Sequence, residues 1–314
     1  MNEIVSVVIL YYNQPLLVLD AIKSVLEQDY RYLELIIADD CSNIINKDSI
    51  LNYIETNKGN NIVHYEIISQ NINVGTVRNI NNAIKRSCGK YIKIFAGDDV
   101  LACDNVISQQ VNAINEMNVI AVTGKLLQCD NQLNPIHDAS VELNNSKLPD
   151  ILKMDPILRE KYINRYNLFP YITQSLLFVR DYFNVYGFYD ERFVLIEDTP
   201  MMWRIIDNDI KIGFVDEYVI KHRSNTGVSS RSLTLSSKKY VEDCILQLEL
   251  MKDRDNNVFK RFDFSVRQKI FRMRYLLSLE KSAKNKLFIK FRYLPYILSF
   301  VIFHPLRVIR MIGK

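Results

Sequence analysis

YIKIFAGDDVL, residues 91–101, decides the fold. Apolar side chains run to Phe95, the small residues Ala96 and Gly97 follow, and two adjacent carboxylates, Asp98 and Asp99, come next. A buried strand ending in paired acids at its carboxyl edge is where open α/β sheets place ligand chemistry. Two close carboxylates also suit a hard divalent cation that carries phosphate. Alone the pair reads equally well as a solvated turn, so the neighbouring segments decide.

Toward the amino end, strand and helix alternate. IVSVVIL (4–10) is a continuous apolar run, as expected of a strand buried on both faces. Pro15 opens a helix to about Gln28, with Leu16, Leu19, Ile22, Val25 and Leu26 at helical spacing. A second strand over 33–38 ends in Asp39 and Asp40, a helix covers 47–56, and a third strand covers 62–68. The next helix, 77–88, has Gly89 placed as its C-cap. This order predicts a parallel sheet with right-handed crossovers. Toward the carboxyl end, Asp104 is placed to cap a helix reaching Met117. A strand over 119–129, a polar connection over 132–149, strands over 174–180 and 210–215, and a helix over 200–207 follow.

A chain of 314 residues exceeds the usual single-domain size. With 48% hydrophobic residues and only 9 Gly and 8 Pro, it is globular and not a disordered chain. Five cysteines without CxxC spacing argue against a disulfide framework or structural zinc and suit a reducing cytosol. The opening residues lead into an apolar strand without a basic leader, so no signal peptide is expected.

The net charge of +4 hides an asymmetry. From Leu235 onward Lys and Arg outnumber Asp and Glu 18 to 7, whereas before it they are 22 to 29. An acidic body with a basic end points to an anionic surface met by that end. Residues 235–287 are helix-compatible, and 294–306 form an apolar core broken by Pro295, His304 and Pro305. That core is too short to span a bilayer, which takes about 20 apolar residues. Its aromatics and the flanking Lys290, Arg292, Arg307, Arg310 and Lys314 fit an interfacial element on anionic lipid, with nucleic acid the less suitable partner. A helix packed on the domain, or a contact between copies, fits the same residues.

Acidic positions fall at strand ends or loops in an order that can build one site. Asp39 and Asp40 end the second strand, Asp98 and Asp99 the fourth, and Glu197 and Asp198 follow GFYDERFVLIED. Between them NINVGTVRN (71–79) offers a turn and Arg78 at the head of a helix.

SVVILYYNQ, LELIIADDCS, NINVGTVRNINNAIKRSCGKYIKIFAGDDVL and GFYDERF with EDTPMMWRI together resemble the family-2 glycosyltransferases of GT-A fold. The resemblance covers about residues 3–230. It implies an α/β nucleotide-diphospho-sugar transferase fold over 1–232, with a mostly parallel sheet flanked by helices. A basic helical extension would follow over 233–314, its last part (288–314) associating with membrane. The implied reaction is inverting transfer of a sugar from a nucleotide diphosphate donor to an acceptor hydroxyl. The acceptor would be a lipid-linked oligosaccharide in cell-surface polysaccharide assembly, O-antigen or capsule, at the cytoplasmic face of the membrane.

By the same resemblance Tyr12 stacks on the nucleotide base and Asp40 accepts from the base N3–H, which favours a UDP donor. Arg78 and Asp98 lie near the nucleotide. Asp98 and Asp99 match the acidic metal motif, with Asp99 the direct ligand of Mn2+ or Mg2+, although Ala96 stands where a first acid is common. Asp198 resembles the catalytic base, with Glu197 beside it; a helix N-cap is the competing role for Asp198. His222 and Arg223 are placed to touch the diphosphate or metal. Trp203 reads as core, and His64, His137 and His304 as surface or packing residues. Two rivals stand beside this reading. A sugar-1-phosphate nucleotidyltransferase shares a similar sheet but needs a Gly-rich loop after the first strand, which YYNQPLL lacks. A non-catalytic sugar-nucleotide-binding protein would not need the acids.

Overall fold

Seven alternating elements open the chain: β1 (Val5–Tyr11), α1 (Leu17–Leu26), β2 (Leu33–Asp39), α2 (Lys47–Asn57), β3 (Ile62–Ser69), α3 (Thr76–Arg86) and β4 (Tyr91–Ala96). The structure is a computed structural model and describes residues 3–43, 47–166, 168–224, 226 and 238–253. Its contacts divide the chain into two units, Met1–Ser230 and Arg231–Lys314.

In the first unit β2 is buried at every position and β1 at nearly all, so both faces are covered, as in parallel sheets. Val5, Val7, Ile9 and Tyr11 of β1 join one cluster with Val18, Ala21, Ile22 and Val25 of α1. Full burial of each such aliphatic side chain contributes about 1.5–3 kcal/mol. Helix α3 contacts β1 and β2 with a buried face that includes Asn79 and Asn81. Both amides are satisfied by main chain: Asn79 donates to Ala38 O at 2.7 Å and Asn81 to Tyr189 O at 2.9 Å.

The chain continues through β5 (Val100–Leu101), α4 (Val106–Met117), β6 (Ala121–Cys129), α5 (Ala139–Lys153), α6 (Pro156–Tyr166), β7 (Leu177–Val179), α7 (Asp181–Tyr186), α8 (Asp198–Asp207) and β8 (Ile212–Arg223). The eight strands form one sheet in the order β3-β2-β1-β4-β7-β6-β8-β5. Strand β1 pairs in parallel with β2 and β4, β2 with β3, and β6 with β8. The antiparallel pairs are β4 with β7, β6 with β7, and β5 with β8. The expected α/β fold with a mostly parallel, helix-flanked sheet is what forms.

Four local expectations need correction. Residues 132–149 are not a polar connection throughout, because α5 begins at Ala139 behind an Asp138 cap that accepts from the Ser140 and Val141 N–H groups. Gly89 is not a C-cap: Ser87 ends α3 in extended conformation. Gly89 is instead required by close approach, since a Cβ there would sit 2.6 Å from Ser6 N and 2.8 Å from Ile4 O. Asp104 does not cap α4; its carbonyl accepts from Asp29 N at 2.8 Å, and Asn105 takes the cap position. Strand β8 runs eight residues past the expected end at Val215, held by β6 on one side and β5 on the other.

In the second unit α9 (Lys238–Asp253) is helical; the expected interfacial element, 288–314, lies outside the described residues. No helix among the described residues is long and apolar enough to cross a membrane. All five cysteines are free thiols.

Candidate active site

The carboxyl ends of β2, β1 and β4 lie side by side. Asp40 N donates to Tyr11 O at 3.0 Å, and Gly97 N to Leu10 O at 2.8 Å. Asp40, the loop carrying Tyr12, and Asp98 and Asp99 therefore share one sheet edge, the crevice where α/β sheets bind ligands. The loops after β1 and β2 are tied together, with Asn13 N donating to Ser42 Oγ and Asn43 N to Asn13 Oδ1, both at 2.9 Å. Tyr12 lies in this joined pair with 39% of its surface exposed.

The short β5 directly after Asp99 pairs antiparallel with β8, Val100 opposite Lys221 and Leu101 opposite Ile220. That pairing delivers His222 and Arg223 to the acids. His222 Nδ1 lies 3.0 and 3.1 Å from the two Asp99 oxygens, and Arg223 N donates to Asp99 Oδ1 at 3.0 Å. Asp99 is fully buried and Asp98 nearly so. Burial pushes the Asp99 carboxyl above the usual range and Asp98 adds to this, while His222 and the Arg223 N–H oppose it. His222, which burial alone would lower, is lifted to about 9 by Asp99, then Asp98, then Asp198.

Asp198 is brought to the same place by the first turn of α8. It is not the helix N-cap, a position held by Glu197. Its Oδ1 accepts from Thr173 N at 2.6 Å. Burial raises the Asp198 carboxyl, the Thr173 N–H and hydroxyl and His222 hold it back, and Asp99 adds to the rise. Asp98, Asp99, Asp198 and His222 thus form one electrostatic group.

The remaining expected residues have the following surroundings. Asp40 is buried, and its carboxylate accepts from Val74 N (2.7 Å), Gly75 N (3.0 Å) and Asn73 Nδ2 (2.9 Å), so it anchors the turn ahead of α3. Gly75 is obligatory there. At φ +87° an L side chain is strained, and a Cβ would meet Val194 O at 2.6 Å. Arg78 is exposed on α3, with its Nε 3.4 Å from Glu191 Oε2. Arg223 does not face the crevice. It is 2% exposed, and its guanidinium donates to Asp98 O (2.7 Å), Asn131 O (3.2 Å) and the Asp20 carboxylate. A side chain with those bonds is a brace for the acidic turn, and His222 is the basic group left beside the acids. Trp203 is core, as expected.

The sequence reading missed Thr173 and two buried polar residues behind it, Lys93 and Gln110. Lys93 sits inside the apolar run of β4, and burial lowers its ammonium to about 7. The period-two placement of Lys93 on the face of Tyr91 and Phe95 was the available signal.

Among the described residues no three His, Cys, Asp or Glu side chains form a ready ion cage. The donor chemistry nonetheless fits a hard dication, because buried carboxylates already draw positive charge onto His222.

The sequence profile of the family described as "Glycosyl transferase family 2" matches residues 6–187. The chain belongs to glycosyl transferase family 2. Within the family it is 30% identical over 108 residues to TuaG of Bacillus subtilis, named as a teichuronic acid biosynthesis glycosyltransferase. It is 31% identical over 96 residues to the "GalNAc(5)-diNAcBac-PP-undecaprenol beta-1,3-glucosyltransferase" of Campylobacter jejuni. These matches span 34% and 31% of this chain and only 41% and 30% of the two relatives. The fold is similar to S. aureus TarS 1-349 in complex with UDP-GlcNAc, with a TM-score of 0.58 and 15% identity, covering 95% of this chain and 80% of that one.

Proposed function

We propose that this family-2 chain transfers one sugar, with inversion, from a UDP-sugar to a hydroxyl of a lipid-linked oligosaccharide in cell-surface polysaccharide assembly. The observation that carries this reading is the placement of Asp198 in one electrostatic group with Asp98, Asp99 and His222 at the sheet's carboxyl edge. A uridine donor is supported by the UDP-GlcNAc complex of TarS, and a lipid-linked acceptor by the name of the Campylobacter relative.

Tyr12 offers its ring to the base, and Asp40 shapes the base pocket through the Asn73–Gly75 turn it holds. Arg78 borders the nucleotide end from α3. Asp98 and Asp99 would hold Mn2+ or Mg2+ with His222 beside them, and such an ion supplies positive charge to the departing diphosphate when bound. Inversion needs a single displacement: the acceptor oxygen bonds to the anomeric carbon as the bond to the UDP oxygen breaks. Asp198 takes the acceptor's hydroxyl proton. Its raised carboxyl makes it a stronger base than an ordinary aspartate. Glu197 lies next to it and helps orient the acceptor.

The deciding experiment is a screen of UDP-sugars for UDP release with and without divalent cation. With the donor that is used, Asp99→Asn raises the donor KM by about 10–100-fold, since it removes a carboxylate charge that would hold the dication. Chelation should abolish what remains. A KM equal to wild type in Asp99→Asn would remove Asp99 from donor binding.

The basic end is proposed as a peripheral membrane contact on the cytoplasmic face. Removing the residues after Phe288 should then release the chain from vesicles of anionic lipid in a flotation assay. Equal flotation of both forms, or retention on DNA in preference to vesicles, contradicts this.

A further inference from the structure

Asp198 is aimed by a turn, and the turn is fastened from inside the core. Thr173–Ser175 forms a single 3-10 turn between the chain entering from α6 and strand β7. Thr173 is 2% exposed, and its N–H makes the 2.6 Å bond to Asp198 Oδ1. At the other end of the turn, Ser175 O accepts from Gln110 Nε2 at 2.8 Å, and Ser175 Oγ meets Thr123 Oγ1 at 2.9 Å. Gln110 Oε1 in turn accepts from Lys93 Nζ at 3.0 Å. Lys93, Gln110 and Thr123 have no exposed surface and Ser175 has 3%.

This polar chain crosses three elements, β4, α4 and β6, in the hydrophobic core. Burying such groups is unfavourable unless each is bonded, and a bonded buried network fixes geometry that apolar packing leaves loose. A lysine ammonium in a core is especially unfavourable without a partner, and here Gln110 Oε1 supplies one at 3.0 Å. Tyr189, also buried, donates its hydroxyl to Thr173 Oγ1 at 3.4 Å, and Tyr189 is itself held by Asn81 of α3 through its N–H and carbonyl. The turn is thus held at both Thr173 and Ser175, and through Thr173 it meets Asp198 of the acidic group.

We infer that Lys93, Gln110, Ser175 and Thr173 are positioning residues that set the direction of the Asp198 carboxylate through the Thr173 N–H and hydroxyl. The inference rests on the proposed role of Asp198 as base. The relay joins the strand that ends in Asp98 and Asp99 to the residue that takes the proton, so both halves of the site are registered to β4. A carboxylate that pivots loses alignment with the acceptor hydroxyl without loss of donor contacts, and misplacement of that kind lowers turnover and not binding.

Four proteins test it: wild type, Thr173→Val, Thr173→Ser and Gln110→Glu. Thr173→Val removes the hydroxyl and keeps the N–H. Gln110→Glu still accepts from Lys93 but presents an oxygen to Ser175 O in place of the N–H. The first readout is kcat and KM for the UDP-sugar, and the second is hydrogen exchange at the Thr173 amide. Expected are a kcat lowered about tenfold in Thr173→Val and in Gln110→Glu with the donor KM unchanged, restoration by Thr173→Ser, and faster Thr173 exchange in Gln110→Glu. A kcat within twofold of wild type in Gln110→Glu, or a Thr173→Val loss that serine does not rescue, overturns the relay. Should wild type turn over no UDP-sugar, the functional reading fails by itself. The amide then decides alone: faster exchange in Gln110→Glu keeps the relay, and an unchanged rate overturns it.

Discussion

Asp198→Asn binds UDP as wild type does and loses sugar transfer by about 10²–10⁴-fold, the range for removal of a general base. The substitution is nearly isosteric, and an Asn oxygen can still accept from the Thr173 N–H that now lies 2.6 Å from Asp198 Oδ1. The turn and helix α8 therefore keep their geometry. What is lost is an atom able to hold the acceptor's proton. Glu197→Gln, by contrast, leaves the base in place and should cost less than about tenfold. Initial rates of UDP release give the first comparison, and calorimetric titration with UDP plus Mn2+ the second. A rate within tenfold of wild type in Asp198→Asn would move the base elsewhere. A weakened UDP affinity with the rate per bound donor unchanged would make Asp198 a donor-binding residue.

The first half of the molecule was legible because its strands are buried on both faces. IVSVVIL and YIKIFA admit few alternatives once helices cover both sides, and the acids at the ends of β2 and β4 then share an edge through parallel register. The acceptor half was less legible for a physical reason: its geometry is set by pairings distant in sequence. Strand β8 carries Asp216 and Glu217 in its middle and reads as ending there, yet β6 pairs with it on both sides of a bulge at Lys125. That support carries β8 on to its pairing with β5, which brings His222 and Arg223 to Asp99. Helix α5 was hidden by Pro149 in its last turns; tertiary contacts hold it, among them Asn145, which bonds both the N–H and the carbonyl of Leu126. Thr173 gave no signal, since its bonds to Asp198 join residues 25 positions apart and no local pattern marks them.

Arg223→Met should lower stability by about 2 kcal/mol, because it leaves the buried Asp98 carbonyl without its donor at about 1–3 kcal/mol. The guanidinium donates to this carbonyl at 2.7 Å, and its 3.2 Å bond to the carbonyl of the exposed Asn131 adds less. The ion pair to Asp20 adds little, because the Asp20 side chain is 51% exposed. Methionine fills most of the arginine stem's volume, so the loss is mainly polar and not a cavity. For a unit of about 230 residues this corresponds to a fall in Tm of about 4–8 °C. Asp20→Asn is the control and should move Tm by no more than about 2–4 °C, as a surface-exposed pair does. The two substitutions also separate in function. Loosening the Asp98 carbonyl frees the turn that presents both metal-side acids, so Arg223→Met weakens donor binding even at temperatures where it stays folded, whereas Asp20→Asn does not. A Tm within 2 °C of wild type together with an unchanged donor KM would show that Arg223 is not the brace of the acidic turn.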